Sequence, residues 1–519
     1  MLDGPSLPLL VAAIVAIGVL GVQNVKFTRV AQRVHYLPRE VARNQRLWLE
    51  RRPLGAIWWV LAVALATAAS LAPALPGGQW LAWLVVGAPL PILLTPWRLP
   101  LRGVTSPLAW TKRAMRAVAA ATALQLAVGA VSVWLLGAAG VLPALLLAAH
   151  LWDLALALVW RLERFVTRGF VADAKRKLKR VGPRVVAITG SYGKTSTKGY
   201  VAHLVGSTHQ TVASPASFNN LMGLSRTINE HLAAGTSVFV AEMGMNQEGR
   251  IRELSNLFPP DIAAITIIGE AHMERLGSQE AIFRAKSEIT ENAPVVVLPV
   301  DQPELVSLAD KCRRLGKRVV SVSGKGKPAE VVVDPELGFF RYGPDDTDTP
   351  MDIPPFGHAV NIAVALGIAW VLDVPKDQVL ARLDQLPVAA HRAEIQKTPE
   401  GVWIIDDTYN SNPVGARRAV LDAAALAAER GGPLVVVTPG MVELGPVQFE
   451  RNRELAAAVL DAGGTLMAVG LTNRRALLEG SSGQAAVFDT RGEAVAAALQ
   501  AAGARGVILY ENDLPDHYP

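Results

Sequence analysis

Cysteine is nearly missing: the 519 residues hold one, Cys312. That excludes an internal disulfide and any cysteine-based metal cluster, and it fits a reducing compartment for the back of the chain. Acidic residues are scarce in the first 180 positions, which carry 21 Lys and Arg against 6 Asp and Glu; the remainder carries 30 against 39. The overall charge of +6 therefore hides a basic front and an acidic back. The basic residues lie between apolar runs, so they read as membrane topology and not as a nucleic-acid surface. Aromatics are only 6% of the residues, and ten of the 12 tryptophans fall before position 161, nine of them at or near the ends of apolar runs. Interfacial anchoring accounts for most of those without a ligand role.

What the front does have is apolar length. Five stretches, roughly 7–24, 55–75, 79–96, 117–138 and 141–160, each approach the ~20 residues a helix needs to cross a bilayer. The first is not read as a cleavable signal, because Asp3 precedes it and its basic residues follow it. Basic residues fill the first and third connections (Lys26 to Arg52, Arg98 to Arg116), and the second and fourth carry no charge. The positive-inside rule then predicts five crossings, with the N-terminus outside and the C-terminus in the cytoplasm. Residues 161–183, dense in Lys and Arg, read as a juxtamembrane helix against anionic membrane lipid. His150 and Asp153 fall three apart in the fifth stretch. They read either as a functional intramembrane pair or as an aspartate satisfied near the cytoplasmic end.

At Arg184 the pattern changes. Val185-Val186-Ala187-Ile188-Thr189 is a β-branched run, and Gly190-Ser191-Tyr192-Gly193-Lys194-Thr195-Ser196 turns it into a helix. This reads as strand, phosphate loop, helix: glycines let backbone N–H groups crowd an anion at a helix N-terminus. Lys194 would reach the terminal phosphates and Thr195 would hold Mg²⁺. Ile188 stands where a Walker A loop has its first glycine, so the loop is shorter than that pattern. Further apolar runs at 237–240, 262–268, 295–298 and 319–322 alternate with helix-like stretches, which predicts a doubly wound α/β sheet with ligands at the strand C-terminal ends. Glu242, His272 and Lys286 follow such ends. Each alone is also readable as a solvated glutamate, a satisfied histidine or a surface lysine.

Thr189 to Ser196 resembles the ATP loop of the Mur ligases, the amide-forming enzymes of peptidoglycan precursor synthesis. Ser217-Phe218-Asn219-Asn220 with Gly223, Ala241 to Asn246, Ile268 to Ser278 and Ala285 to Ile289 resemble the branch that adds D-alanyl-D-alanine to the muramoyl tripeptide. The likeness covers about 184 to 519. It implies a P-loop central domain (184–387) and a Rossmann-like C-terminal domain (388–519), which follow the five-span membrane bundle (1–160) and basic linker (161–183) read above from apolar length and charge. It implies that Gly190, Ser191, Gly193, Lys194, Thr195 and Ser196 bind ATP, and that Thr195 and Glu242 hold one Mg²⁺. His272 would hold a second with a carbamylated Lys286, and Asn219 and Asn220 would face substrate. Lys194, Lys286 and His272 would be the catalytic residues. A carbamate converts a cation into an anionic oxygen ligand that hard Mg²⁺ accepts. His391-Arg392-Ala393-Glu394 and Asp407 to Pro413 resemble the C-terminal ATP motifs, with Arg392 on phosphate or adenine and Asp407 and Asn410 on ribose or base.

The chain departs from the family in several places. Gly357-His358-Ala359-Val360-Asn361 is one residue short of His-Asn-x-x-Asn, Ile267 replaces an asparagine, Pro439-Gly440-Met441-Val442-Glu443 lacks the family aspartate, and the terminal Lys-Gly-Ser is absent. Apolar stretches stand where this branch carries its UDP-sugar domain. The expected reaction is ATP-dependent amide ligation through an acyl phosphate. The donor would be an amino acid or dipeptide, and the acceptor a muramoyl peptide or a lipid-linked or poly-amino-acid chain. The competing reading is a membrane-anchored, non-catalytic nucleotide-binding subunit. An ATP-powered transporter fits less well, since the spans hold almost no charge that would line a path.

Overall fold

The computed structural model describes all residues except 1–5, 72–73, 75–77, 98, 102–107, 353–357, 388–393, 410 and 515–517. The chain divides into two compact units, Met1–Arg168 with Leu514–Pro519, and Gly169–Asp513.

The first unit is helical. Among the described residues three helices are long and apolar enough to cross a membrane: Leu7–Arg33, Pro53–Leu71 and Lys112–Val141. Each buries a third or less of its apolar window, and Leu7, Ile14, Val60 and Trp134 stay largely exposed. The five expected stretches are thus three continuous helices and two interrupted ones. Residues 79–96 form short turns, 3-10 at Gly78–Trp83, α at Leu84–Gly87 and 3-10 at Leu90–Leu94. Pro89 and Pro91 supply no N–H to a continuous α-ladder there. The fifth stretch breaks likewise around Pro143, with a short helix Pro143–Leu146 before the long helix Ala148–Val181.

A polar seam that the sequence reading missed joins these helices. Asn24 and Gln125 exchange side-chain amide bonds at 2.9 and 3.0 Å; Asn24 also donates to Thr122 Oγ1 and accepts from Trp152 Nε1 at 2.7 Å. Such amide pairs fix helix register where apolar packing is non-directional. Asp153 is also explained locally. Its two carboxylate oxygens accept the Val41 and Ala42 N–H groups at 3.1 and 3.0 Å, at the start of helix Glu40–Arg51. His150 is exposed, so the structure does not pair these two residues as a buried site.

The second unit holds two sheets. The first contains β1 (Arg184–Thr189), β2 (Thr211–Ala213), β3 (Val238–Glu242), β4 (Ile262–Ile265), β5 (Val295–Pro299), β6 (Arg318–Ser323), β7 (Val331–Asp334), β8 (Phe339–Tyr342) and β9 (Thr349–Pro350). Their order is β2-β3-β1-β4-β5-β6-β7-β8-β9, parallel through β7 and antiparallel beyond. Alternation along the strands feeds two cores: Val185, Ala187, Phe239 and Ala241 face one side, Val186, Ile188, Val238 and Val240 the other. The second sheet contains β10 (Glu394–Lys397), β11 (Trp403–Asp407), β12 (Leu434–Thr438), β13 (Thr465–Val469), β14 (Ala486–Phe488) and β15 (Val507–Glu511), in order β10-β11-β15-β12-β13-β14. The apolar runs at 237–240, 295–298 and 319–322 became strands within two residues of expectation. The run 262–268 did not stay a strand: it leaves the sheet after Ile265, and Ile267 instead accepts a hydrogen bond from Ser191 N.

Candidate active site

Parallel strands β1, β3 and β4 lie side by side, so the turns after them open at one edge of the sheet. The turn after β1 is tightened by two glycines. Gly190 has φ +156° and Gly193 φ +77°; a Cβ on the first would lie 1.9 Å from Thr266 Oγ1, and on the second 2.1 Å from Asn361 Oδ1. Only glycine lets the loop pass this close to its neighbours. Helix Lys194–Val205 starts at this turn, so its unpaired N–H groups face the loop. Lys194 Nζ donates back to Gly190 O at 2.7 Å and Ser191 O at 3.3 Å. Ser191 Oγ is tied to Gly269, accepting from its N–H and donating to its carbonyl. Ser196 is half-buried on the first turn of the helix.

Glu242, at the end of β3, gathers three partners. Oε2 accepts from Thr195 Oγ1 and from Lys198 Nζ, both at 3.0 Å, and Oε1 accepts from Asn219 Nδ2 at 3.0 Å. Burial alone would push this carboxyl up. Lys198, Lys194 and the Asn219 bond outweigh it and hold Glu242 below the usual carboxylate range. Lys198 went unnoticed in the sequence, although it sits four residues after Lys194 on the same helix face. Asn219 is thus committed to Glu242, while Asn220 caps helix Leu221–His231 through its Oδ1.

Lys286 is 1% exposed, and its Nζ donates to Gly190 O at 2.9 Å. Burial, helped by the neighbouring Lys194 charge, pushes its amine well below the ordinary lysine value. His272, at φ +66°, places Nδ1 3.0 Å from Glu443 Oε2, and Glu443 Oε1 also accepts from Arg275. Burial draws the imidazole down, Glu443 pulls it up, and Lys286 and Lys194 add to the lowering, which wins. Arg451 forks onto Glu270 beside this loop at 2.7 and 2.8 Å. Thr195, Glu242, Lys194, Lys286 and His272 thus surround the phosphate loop. Among the described residues no three His, Cys, Asp or Glu side chains form a metal-holding group; the expected ligand set contains one carboxylate and one imidazole, the rest being a hydroxyl and a lysine. On the second sheet Asp407 pairs in register with Glu511, whose carboxyl is pushed well above its ordinary value by burial and by Asp407. Arg392 and Asn410 lie outside the described residues.

A glycine loop at a helix N-terminus, a buried carboxylate paired to the loop threonine, and a buried lysine define a nucleotide-dependent α/β enzyme site. Residues 188–367 match the Mur ligase middle domain and residues 391–510 the Mur ligase glutamate ligase domain. The chain belongs to the Mur ligase family. Within it, the chain is similar to the UDP-N-acetylmuramoyl-tripeptide--D-alanyl-D-alanine ligases of Bacillus subtilis (32% identical over 293 residues, 55% of this chain and 62% of the relative) and Mycobacterium leprae (33% over 269 residues, 48% and 52%). It therefore spans between half and two-thirds of those relatives' length. Its fold is that of MurF from Acinetobacter baumannii (TM-score 0.56, 24% identity, 66% of this chain and 77% of that one) and of the MurF ligase from Thermotoga maritima solved with ADP (TM-score 0.55, 22% identity, 66% and 80%).

Proposed function

We propose that the second unit is an ATP-dependent peptide ligase that joins D-alanyl-D-alanine to a muramoyl tripeptide. The observation that carries this is the convergence of Lys194, Glu242 and Lys286 on one phosphate loop. In this reading the acceptor carboxylate attacks the γ-phosphorus of ATP, and ADP leaves. The dipeptide amine then attacks the acyl phosphate carbonyl, phosphate departs, and the amine's proton is lost to solvent. Lys194 stabilises charge on the transferring phosphoryl group, and positioning with charge neutralisation supplies most of the acceleration. The contacts of Glu443 and Arg451 with the His272 loop bring the second sheet's turns onto the site, which keeps water from the acyl phosphate.

The residues fit magnesium. Glu242 is ionised and already shares its oxygen with the Thr195 hydroxyl, and these two would hold one ion. A neutral buried amine is what reaction with CO₂ requires, so Lys286 would form a carbamate, releasing one proton, and with His272 hold a second ion. Bound Mg²⁺ would supply neutralisation of phosphoryl charge. Arg392, Asp407 and Asn410 are assigned to the nucleotide. In Lys194→Ala, ADP release in the presence of UDP-muramoyl tripeptide and D-alanyl-D-alanine falls to background; persistence of that release refutes the loop assignment. Mass spectrometry of the wild-type product should show the pentapeptide. Turnover only on a lipid-linked acceptor would favour the second reading, which the apolar front supports.

The first unit is read as a five-crossing membrane domain, N-terminus outside and ligase in the cytoplasm. The interrupted segment Trp80–Leu94 is mostly 3-10 helix, which rises about 2.0 Å per residue. Its 15 residues then reach at most about 28 Å, approaching the ~30 Å hydrocarbon core. Lys26 Nζ donates to Leu93 O and Thr95 O at 2.8 and 3.0 Å, so the end of that segment meets the basic end of the first helix. With only three crossings Lys112, Arg113 and Arg116 would fall on the outer side, against the positive-inside rule. A membrane-impermeant maleimide should label Ala138→Cys and not Arg46→Cys in intact cells; the reverse pattern refutes the orientation.

A further inference from the structure

Two carboxyl groups meet at one end of the second sheet. Asp407 is the last residue of β11 and Glu511 the last of β15, and the two are register partners in a parallel pair. Their Cα atoms are thus one strand spacing apart, about 4.8 Å, and both side chains leave the sheet on one face. On that face Ile405, Val507 and Leu509 pack with Ala416 and Val420 of helix Pro413–Arg430. Glu511 is fully buried. Its Oε1 accepts from Ser411 Oγ at 2.5 Å. Its Oε2 receives no N–H or O–H donor among the described residues, and the Asp407 carboxyl lies within hydrogen-bonding reach of the group. The surrounding elements bring no cation to Glu511. The first turn of helix Pro413–Arg430 holds no titratable group, and Arg417 and Arg418 behind it are exposed. β12, the other neighbour of β15, ends in Thr438, which does not titrate. Asp406 and Tyr510 alternate to the opposite face, and Asp513 is paired with Arg491. The groups facing Glu511 are therefore Asp407 and Ser411. Two ionised carboxylates offer only acceptors to each other, and a second buried negative charge would be uncompensated; one proton between them removes both costs.

We propose that Glu511 is a positioning residue for the nucleotide: it stays a neutral acid, accepts the Ser411 hydroxyl on Oε1 and donates its own proton from Oε2 to Asp407, so that Asp407 keeps its charge and presents its remaining lone pairs to the hydroxyl or amino donors of a bound nucleoside. This rests on the assignment of Asp407 to the nucleotide. The proton stays on Glu511 throughout the reaction. What the pair supplies is direction, a carboxylate fixed in place before the ligand arrives. A cation held between two ionised carboxylates is the competing account, and it differs in one measurable respect, the absence of that proton.

The test uses the full chain in maltoside micelles, titrated with ADP in the presence of Mg²⁺ and followed by calorimetry. Glu511→Met keeps the volume and loses the donor, so it should weaken ADP binding about tenfold, the worth of one hydrogen bond to a charged group. Glu511→Gln reproduces the neutral acid, its amide donating to Asp407 and its carbonyl accepting from Ser411, and should restore the affinity to within about threefold of wild type. Equal weakening in the two variants, or none in Glu511→Met, overturns the proposal. Thermal midpoints separate lost binding from lost folding; if Glu511→Met is destabilised, infrared difference spectra decide. At pH 7 wild type minus Glu511→Gln should show the carbonyl band of a protonated carboxylic acid. Asp407→Asn should shift the loss of that band to lower pH, because the neighbouring negative charge that holds the proton is gone. A carboxylate band at pH 7, or a band indifferent to Asp407→Asn, overturns the shared proton. The two readings fail separately. A wild-type chain that binds no ADP refutes the nucleotide assignment and with it the positioning role, even where the band is present. A chain that binds ADP and makes no pentapeptide refutes the substrate reading and leaves the pair standing.

Discussion

Lys286→Met separates the two jobs a buried lysine can have. The side chain is 1% exposed and its one hydrogen bond goes to Gly190 O, which also accepts from Lys194 at 2.7 Å. Replacing the amine with a thioether of similar volume therefore leaves no carbonyl orphaned. Volume-conserving swaps of this kind cost less than ~1.5 kcal/mol, and removing a desolvated amine offsets part of that. The fold should survive with a midpoint shift within a few degrees, while ADP release should fall by about three orders of magnitude or more if Lys286 must be carbamylated. The pH dependence carries its own sign. The folded-state pKa lies well below the unfolded one, so between the two values the unfolded chain binds more protons. Wild-type stability relative to Lys286→Met should then rise with pH toward the ordinary ammonium value of ~10.4, by at most about 1.4 kcal/mol per pH unit. Thermal unfolding in CO₂-depleted buffer at pH 7, 8 and 9 measures this, and stripping CO₂ should itself lower activity reversibly. Full ligase activity in Lys286→Met, or activity indifferent to CO₂, would show that the lysine is only a packed side chain.

Glu443→Ala should lower the ligation rate about 10–100-fold, the range seen when a group orienting a metal-binding histidine is removed, with little change in thermal midpoint because Glu443 and His272 are both partly exposed; an unchanged steady-state rate would refute the positioning role. Asp153 should rank Asp > Asn > Leu in stabilising helix Glu40–Arg51. The leucine variant leaves the Val41 and Ala42 N–H groups unmatched, costing about 2–6 kcal/mol, and the asparagine variant sits between. Limited trypsin cleavage at Arg43 and Arg46 follows this directly. Activity lost in Asp153→Asn without faster cleavage would instead point to a chemical role.

What was legible in the sequence is what local chemistry dictates. The β-branched runs of the parallel strands are buried on both faces, so they read as near-continuous apolar segments. The glycines of the phosphate loop are required by backbone geometry, and Glu242 falls at a strand end where the sheet topology gathers ligands. Some of the strands missed lack such a run, although Val331–Asp334 was missed despite three consecutive valines. Thr211–Ala213 is only half-buried, and Glu394–Lys397 carries two charged residues in four. The five apolar stretches were visible, but their interruptions were not read from Pro89, Pro91 and Pro143.

The rest of the site depends on contacts that no spacing encodes. Lys198 meets Glu242 from 44 residues away and Glu443 meets His272 across 171. Both are polar residues on surfaces that only folding turns into a site. Asp153 makes the same point in the opposite direction. An aspartate inside an apolar stretch reads as function by default, because an unmatched charge there is costly. Two backbone N–H groups from a segment more than a hundred residues earlier remove that cost. A buried ionisable group is thus evidence of function only after its hydrogen-bond accounts are closed. By that criterion Asp153 leaves the functional set.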